Sequence, residues 1–137
     1  MEQDEFYMMK AIEIAKGKIR GNEYPFGCCI VYQDTVILES NSCFTSRNPL
    51  NHAEMNAILN YRGNKKDLEH AKIYVDLFPC NECAKIIIQS GIKEVVYLSN
   101  KYADSENNIA SRKLFDECGV IYKKLELNGE KNINIII

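Results

Sequence analysis

The sequence predicts an α/β domain in which short apolar strands alternate with amphipathic helices. Apolar runs bounded by glycine, proline and polar residues recur from residue 27 onward, and segments with helical periodicity separate them. The last third of the chain reads strand, helix, strand. A full helical crossover joins parallel strands, so the last two strands are expected to run parallel to each other.

The overall properties of the chain are those of an ordinary globular protein. Its 137 residues are enough for one domain, 1–137, with a core that needs no disulfides. A net charge of −2 argues against a nucleic-acid partner without excluding one, because net charge hides local basic patches. The acidic start does not resemble a signal peptide, and no apolar run is long enough to span a membrane. The six cysteines are therefore expected in a reduced, cytoplasmic protein.

The first element is predicted to be an amphipathic helix over 4–20. Gly21-Asn22 is expected to end it, and its buried face is predicted from apolar residues near helical spacing: Phe6, Met9, Ile12 and Ile19. A β-hairpin should follow, with strands over 27–32 and 35–39 and a two-residue turn at Gln33-Asp34.

The next helix is predicted over 52–61, after a polar loop over 41–51 that contains Asn48-Pro49. Asn51 is the predicted N-cap, because its side-chain oxygen can accept a hydrogen bond from a main-chain N–H of the first turn. A charged connector over 63–69 leads to the third strand.

The third strand is predicted over 72–78, and Pro79 directly after it should open a helix over 81–90. Gly91 is expected to end that helix, and a fourth strand follows over 94–98. A helix over 107–118 is then predicted to bury Ile109, Leu114 and Phe115, with a final strand over 120–127. The isoleucine-rich tail, 128–137, is expected to dock as an edge strand or at a subunit interface.

Two short motifs carry the chemistry of this chain. His52-Ala53-Glu54 is followed, 28 residues after the histidine, by Cys80 of Pro79-Cys80-Asn81-Glu82-Cys83. His52, Cys80 and Cys83 are typical zinc ligands, and a catalytic zinc site keeps a fourth position open for water. Both motifs are expected at helix N-termini, where partial positive charge favours thiolates and a carboxylate.

Glu54 is close enough in sequence to His52 to reach the same water without binding the metal. A carboxylate in that position can move a proton from the nucleophile to a leaving group. A structural zinc site or a thiol redox site are the competing interpretations of C-x-x-C alone. The structural alternative would need a fourth ligand, and His70 lies in a charged stretch that is typical of a solvated loop or helix end.

The pattern H-x-E…P-C-x-x-C is the signature of zinc-dependent nucleobase deaminases. At these residues the chain resembles the cytidine-deaminase superfamily, and within it the deoxycytidylate deaminases. The resemblance is close over 52–125 and loose over 6–51, and its segments are HAEMNAI at 52–58, LFPCNECAK at 77–85, IIIQSGIKEVVYLSNKY at 86–102 and ASRKLFDECGV at 110–120.

The resemblance implies a three-layer α/β/α sandwich around a mixed five-stranded sheet, and one Zn²⁺ held by His52, Cys80 and Cys83. It implies that Glu54 shuttles protons during hydrolytic deamination of a cytosine nucleotide, with dCMP as the expected substrate. It also implies that the substrate contacts the side chains of Asn41 and Tyr102 and main-chain groups of Ala53 and Cys80. Small domains of this superfamily usually associate, which implies a homo-oligomer, a dimer or a hexamer.

The loop before His52 is a departure from the deoxycytidylate deaminases. It is short, and SRNPLNHAE is more similar to guanine deaminases or tRNA adenosine deaminases, so those substrates are alternatives. Four cations are candidates for a 5′-phosphate contact, Arg47, Lys101, Arg112 and Lys113, and a solvated surface charge is the competing interpretation of each. Arg47, in the loop before His52, is the favoured candidate. An alternative of another class is a catalytically silent zinc-binding interaction module, against which the intact Glu54 argues.

Overall fold

The computed structural model describes residues 2–17, 26–41 and 52–126. These ranges contain five strands, four α-helices and a short 3-10 helix at Lys65–His70. The strands and α-helices follow in the order α1 (Glu2–Gly17), β1 (Gly27–Tyr32), β2 (Thr35–Ser40), α2 (Ala53–Leu59), β3 (Lys72–Leu77), α3 (Asn81–Ser90), β4 (Glu94–Ser99), α4 (Glu106–Glu117) and β5 (Ile121–Lys124).

The five strands form one mixed sheet in the order β2-β1-β3-β4-β5. β1 pairs antiparallel with β2 and β3, whereas β3, β4 and β5 run parallel. The β1–β2 hairpin closes at the pair Tyr32–Thr35 through the predicted two-residue turn, in which Gln33 takes a left-handed conformation with φ 52°. The predicted mixed sheet and its parallel final pair are therefore confirmed.

Helices cover both faces of the sheet, which confirms the three-layer sandwich. On one face α1 is the only helix among the described residues, and its buried residues meet side chains from β1, β3 and β4. On the other face α2, α3 and α4 enclose the larger core, which is built around the aliphatic side chains of the same strands. The sheet is thus buried on both sides at its centre, as its near-continuous apolar strands require.

The buried face of α1 differs from the predicted one. Met8, Ala11, Ile12 and Ala15 face the sheet, while Phe6 is 57% exposed and lies on the opposite side of the helix. Ile12 was predicted correctly, Phe6 was not, and Ile19 lies outside the described residues. The reason for the small side chains is close contact: a Cβ added to Gly27 would lie 1.9 Å from the carbonyl oxygen of Ala11. Helix and strand meet here backbone to backbone, so the interface selects small residues.

The buried face of α4 also differs. Phe115 is fully buried and Leu114 packs partly against the core, as predicted, but Ile109 is 50% exposed. Asn108 and Ser111 occupy the inward positions instead, with exposures of 5% and 0%. They precede Phe115 by seven and four residues, so all three side chains lie on the same face of α4. The buried face therefore combines two polar side chains with an aromatic ring.

The observed ends of the helices and strands differ from the predicted ends by one or a few residues. One of these differences changes which residue caps α2. α2 begins at Ala53, and its N-cap position belongs to His52, so the prediction of Asn51 as the cap was wrong. The charged connector contains the 3-10 helix, whose first turn is capped by the Asn64 side chain accepting from Lys66 N–H at 3.0 Å. His70 ends this helix and is exposed, as predicted. The isoleucine-rich tail lies outside the described residues.

Within the described residues, no helix combines the length and the hydrophobicity that a membrane span requires.

A buried carboxylate fastens α1 to the sheet. Asp4 is 2% exposed, and it accepts a 2.6 Å hydrogen bond from the Tyr74 hydroxyl. The ammonium groups of Lys123 and Lys72 lie 3.0 and 3.5 Å from its oxygens. Burial alone would raise the pKa of Asp4, but the Tyr74 hydrogen bond and the two lysines outweigh it, so the pKa is lowered.

We expect Asp4→Asn to lower the free energy of unfolding at pH 7 by about 1–3 kcal/mol, because it removes a charged hydrogen-bond acceptor from a buried site. A carboxyl whose folded pKa is depressed stabilises the fold above its unfolded pKa and loses this effect as pH falls through the folded pKa. The difference between wild type and variant should therefore shrink below about pH 4. Urea unfolding at several pH values measures this, with Asp34→Asn in the exposed hairpin turn as the matched control. A constant difference down to pH 2 would contradict the assignment.

Candidate active site

His52, Cys80 and Cys83 come together at the carboxyl end of the parallel strands. Their ligand atoms all lie within 4.8 Å of one another. The Nδ1 atom of His52 is 3.6 Å from the Cys80 sulfur and 3.4 Å from the Cys83 sulfur. Residues that are 28 and 31 positions apart in sequence thus share one small volume.

These distances fit a tetrahedral zinc ion. Zn–S bonds of about 2.3 Å and a Zn–N bond of about 2.0–2.1 Å, at the tetrahedral angle, require N···S separations of about 3.5–3.6 Å. The two observed separations, 3.4 and 3.6 Å, bracket that range. One imidazole and two thiols are also the donor types that zinc prefers. Zinc is the cofactor that this site accommodates.

Cys80 and Cys83 owe their position to the end of β3. Phe78 follows the strand, and its main-chain N–H donates to the Ser99 carbonyl at 2.9 Å, which extends the parallel pairing with β4. Pro79 is fully buried, and Cys80 then takes the N-cap position of α3. Proline supplies no N–H for a ladder and fits the start of a helix, so the chain leaves the sheet at this point.

The two thiols shift each other's pKa in opposite directions. The Cys83 thiol donates a hydrogen bond to the Cys80 sulfur, and together with His52 this lowers the pKa of Cys80 to about 4. The same hydrogen bond and burial raise the pKa of Cys83. A lowered thiol pKa favours metal binding at Cys80, because the thiolate is the form of cysteine that binds a metal ion.

Glu54 lies in the first turn of α2, beside the three candidate ligands. Its side chain is 9% exposed, and burial raises its pKa to about 7, an effect that the proximity of His52 partly opposes. A carboxyl group with a pKa near neutrality exists in both protonation states at pH 7. Such a group can accept and return a proton with little cost, which is the requirement for general acid–base catalysis.

These groups open onto one cavity of about 460 Å³. Its inner end is formed by buried side chains, and its outer end by exposed ones. The described residues that line it are Phe26, Asn41, His52, Ala53, Glu54, Asp76, Leu77, Phe78, Pro79, Cys80, Tyr102, Ser105, Asn107 and Asn108. A cavity of this size, mostly apolar with a few convergent polar groups, has the form of a small-molecule site.

Asn41, Ala53 and Tyr102, which the sequence suggested as substrate contacts, all line the cavity. Asn41 lies just after β2 and accepts a hydrogen bond from the Phe26 N–H at 3.3 Å. Ala53 is the first residue of α2 and is buried. Tyr102 lies at the outer end and is 56% exposed. Arg47 is outside the described residues.

Sequence reasoning missed Asp76, a second buried carboxyl group in the cavity wall. It is 2% exposed and accepts a 2.9 Å hydrogen bond from the Gly27 N–H, just beyond the last β1–β3 pair. Burial, with a smaller contribution from the charge of Glu54, raises the pKa of Asp76 to about 7. The signal in the sequence was an acidic residue inside the apolar strand KIYVDL.

Sequence reasoning also missed Asn107 and Asn108, at the start of α4. The Asn107 side-chain oxygen accepts from the main-chain N–H of Asn81 at 2.8 Å, and so supplies α3 with a cap that its own N-cap residue, Cys80, does not provide. The N-termini of the two helices are thereby joined beside the thiols. No local pattern marks a cap that comes from another helix.

A family model and several curated proteins match this chain. The model of the cytidine and deoxycytidylate deaminase zinc-binding region matches residues 1–99. A deoxycytidylate deaminase of Pongo abelii is 39% identical over 145 residues, which cover 90% of this chain and 80% of that protein. A Homo sapiens deoxycytidylate deaminase is 55% identical over 73 residues, 53% of this chain and 40% of that protein.

The fold agrees with a solved structure. The dCMP deaminase of cyanophage S-TIM5 superposes with a TM-score of 0.64 over 90% of this chain and 98% of that one. Its sequence is 19% identical, so this likeness speaks for the fold alone.

We expect the purified protein to hold one zinc per chain and Cys83→Ser to bind zinc more weakly by over about 100-fold. Loss of a residue that only hydrogen-bonds a metal ligand lowers metal affinity about 10–100-fold, and loss of the ligand itself should lower it more. Zinc content after dialysis against a weak chelator, measured by atomic absorption, tests this. Cys118→Ser is the matched control, because Cys118 is exposed and lies at the far end of α4. Equal zinc retention by both variants would contradict the ligand assignment.

Proposed function

The chain belongs to the cytidine and deoxycytidylate deaminase family, and we propose from this membership and its site that it hydrolyses dCMP to dUMP and ammonia. The observation that carries the proposal is the coincidence of three zinc-type ligands at tetrahedral spacing with a buried carboxyl group of raised pKa. A purely structural zinc site has no use for that carboxyl group.

His52, Cys80 and Cys83 are the residues that would hold the zinc ion. When bound, zinc lowers the pKa of a coordinated water molecule to about 7 and so makes it a nucleophile at neutral pH. The imidazole and the two thiolates would hold the ion at the inner end of the cavity, and Glu54, which lines the same cavity, would accept the proton of the nucleophile.

Glu54 is proposed to move protons in two steps. It accepts a proton from the attacking water and delivers it to N3 of the cytosine ring while oxygen adds to C4. It then transfers the second proton of that oxygen to the exocyclic amine, the C4–N4 bond breaks, and ammonia leaves while a C4 carbonyl forms. The net change is addition of one water and loss of one ammonia, with Glu54 regenerated.

The charge distribution of the cavity suggests how the nucleotide lies. Two buried carboxyl groups, Glu54 and Asp76, are at the inner end, and within the described lining there is no lysine or arginine. The inner end thus offers a phosphate no cationic side chain, and the two thiolates would offset the charge of a bound zinc ion, so we expect the base to enter first. The phosphate is left at the outer end, near Tyr102 and the neighbouring Lys101, whose Nζ lies 5.3 Å from the centre of the Tyr102 ring.

Four residues are proposed as substrate contacts. The side-chain amide of Asn41 would bind the sugar, and the main chain of Ala53 at the start of α2 would bind the base. Tyr102 would pack against the nucleotide, and Arg47 would contact the 5′-phosphate. Asn41, Ala53 and Tyr102 line the same cavity, which supports this grouping. We also propose that the protein is a cytoplasmic homo-oligomer, a dimer or a hexamer, in keeping with small domains of this superfamily.

We expect Glu54→Gln to keep its zinc and its fold but to lower kcat for dCMP by about 10²–10⁴-fold, the usual contribution of a general acid–base. The amide is nearly isosteric and cannot carry the proton. Ammonia release measures the effect, with Glu106→Gln as control, since Glu106 is an exposed glutamate in the first turn of α4. Turnover by Glu54→Gln within about threefold of wild type would sink the assignment.

The substrate is tested by ammonia release from dCMP, deoxycytidine, cytosine, guanine and a tRNA anticodon stem-loop. We expect kcat/KM for dCMP to exceed that for deoxycytidine at least about tenfold, since a phosphate contact worth about 1.4 kcal/mol gives that factor. Turnover of guanine or the stem-loop alone would keep the deaminase chemistry and replace the substrate. Stoichiometric zinc without deamination of any of the five would favour the silent binding module.

A further inference from the structure

The outer wall of the cavity is a short segment between β4 and α4, residues 100–105, which we call the Tyr102 loop. Tyr102 and Ser105 of this loop line the cavity. The main chain forms two consecutive turns, in which Ala103 N–H donates to the Asn100 carbonyl at 3.1 Å and Ser105 N–H donates to the Tyr102 carbonyl at 3.0 Å. The Tyr102 side chain is more than half exposed, so packing alone does not fix its place.

Arg112, one turn and a half into α4, holds this loop from behind. Its Nη2 atom donates to the Ala103 carbonyl at 2.6 Å, and its Nε atom donates to the Asn108 side-chain oxygen at 3.1 Å. The guanidinium therefore bridges the loop and the inner face of the helix. A planar fork of donors is suited to two acceptors at fixed separation, whereas a lysine ammonium is not.

Asn108, which accepts a hydrogen bond from Arg112, also forms hydrogen bonds with both ends of the loop. Its Nδ2 atom donates to the Asn100 side-chain oxygen at 2.5 Å, and its main-chain N–H donates to the Ser105 hydroxyl oxygen at 3.1 Å. Ser105 in turn donates from this hydroxyl to the Tyr102 carbonyl at 2.8 Å. Asn108 is 5% exposed, so its amide is satisfied by this chain of contacts rather than by solvent.

We propose that Arg112 is a positioning residue for substrate binding, which acts by holding the Tyr102 loop, and hence Tyr102, as a preformed wall of the cavity. The inference rests on the proposed function, because it assigns Tyr102 a contact with the nucleotide. A loop that is already ordered loses less conformational entropy when the ligand binds, so the substrate is bound more tightly. Arg112 is not among the cavity-lining residues, and two of its donors are occupied by protein acceptors.

The first test compares Arg112→Gln with Lys113→Gln, a neighbouring exposed cation on the same helix. We expect Arg112→Gln to raise KM for dCMP about tenfold while kcat changes less than about threefold and zinc content stays constant. Lys113→Gln should leave KM within about twofold of wild type. Arg112→Lys keeps the charge without the fork, and we expect KM to remain raised in it. Restoration of KM by lysine would overturn the proposal in favour of a direct attraction between the charge and the phosphate.

A double-mutant cycle tests whether the effect passes through Tyr102. In a Tyr102→Ala background, Arg112→Gln should change KM by less than about twofold, because the loop that Arg112 holds then has no tyrosine ring to place against the nucleotide. An undiminished tenfold effect in that background would overturn the proposal, since Arg112 would then act by another route.

Amide hydrogen exchange provides a readout that needs no activity. We expect Arg112→Gln to speed exchange in residues 100–105 at least about tenfold and to leave β3 unchanged. Asn100→Ala removes the distal link without touching the arginine, and it serves in the same way if Arg112→Gln does not fold. Unchanged exchange in 100–105 would overturn the proposal. If Arg112→Gln speeds exchange in residues 100–105 but the wild-type protein does not deaminate dCMP, the proposed function is refuted, whereas the role of Arg112 in ordering the Tyr102 loop is supported.

Discussion

The active site depends on the burial of one aromatic ring. Phe78 is 4% exposed, and its ring meets those of Tyr97, Tyr122 and Phe115 at centroid distances of 4.9, 5.5 and 5.9 Å. Such edge-on aromatic contacts add to the hydrophobic stabilisation of a buried ring. Because only Pro79 separates Phe78 from Cys80, the packing of the core fixes where the first thiol lies. The position of the metal site is thus set by apolar packing, before any ligand contributes.

The second determinant is the convergence of helix starts at one edge of the sheet. His52 and Cys80 are the N-cap residues of α2 and α3, and neither caps its helix with a side-chain hydrogen bond. Both side chains face the shared site instead. The partial positive charge of two helix N-termini favours anionic groups there, which suits thiolates and opposes the cost of burying Glu54. One arrangement of the main chain therefore serves both the candidate metal ligands and the buried carboxyl group of Glu54.

The sequence predicted what is encoded locally. The bounds of α3 were predicted correctly because Pro79 and Gly91 are unambiguous signals, and Gly91 takes the left-handed conformation, φ 94°, that ends a helix. The faces of α1 and α4 were predicted less well. Phe6 and Ile109 have the hydrophobicity of core residues, yet both are exposed. In α1, the close contact at Gly27 favours small residues on the buried face. In α4, Asn108 is buried because it forms hydrogen bonds with the Tyr102 loop. The clustering of the three candidate metal ligands was predictable from their motifs, whereas the burial of Asp76 and Asn108 depends on partners that sequence order does not reveal.

The two hydrophobic cores have a consequence for how this architecture can diverge. Within the described residues, the two core clusters are formed without the candidate ligands: the α1 side is held by Met8, Ile12 and Tyr74, and the other side by aliphatic residues around Phe115. Cys83 is fully buried beside them but belongs to neither cluster. Small zinc-finger domains, by contrast, are unfolded without their ion. A descendant of this protein that lost one ligand cysteine would lose deaminase activity and keep the fold. Loss of activity and loss of the fold can therefore occur independently in evolution.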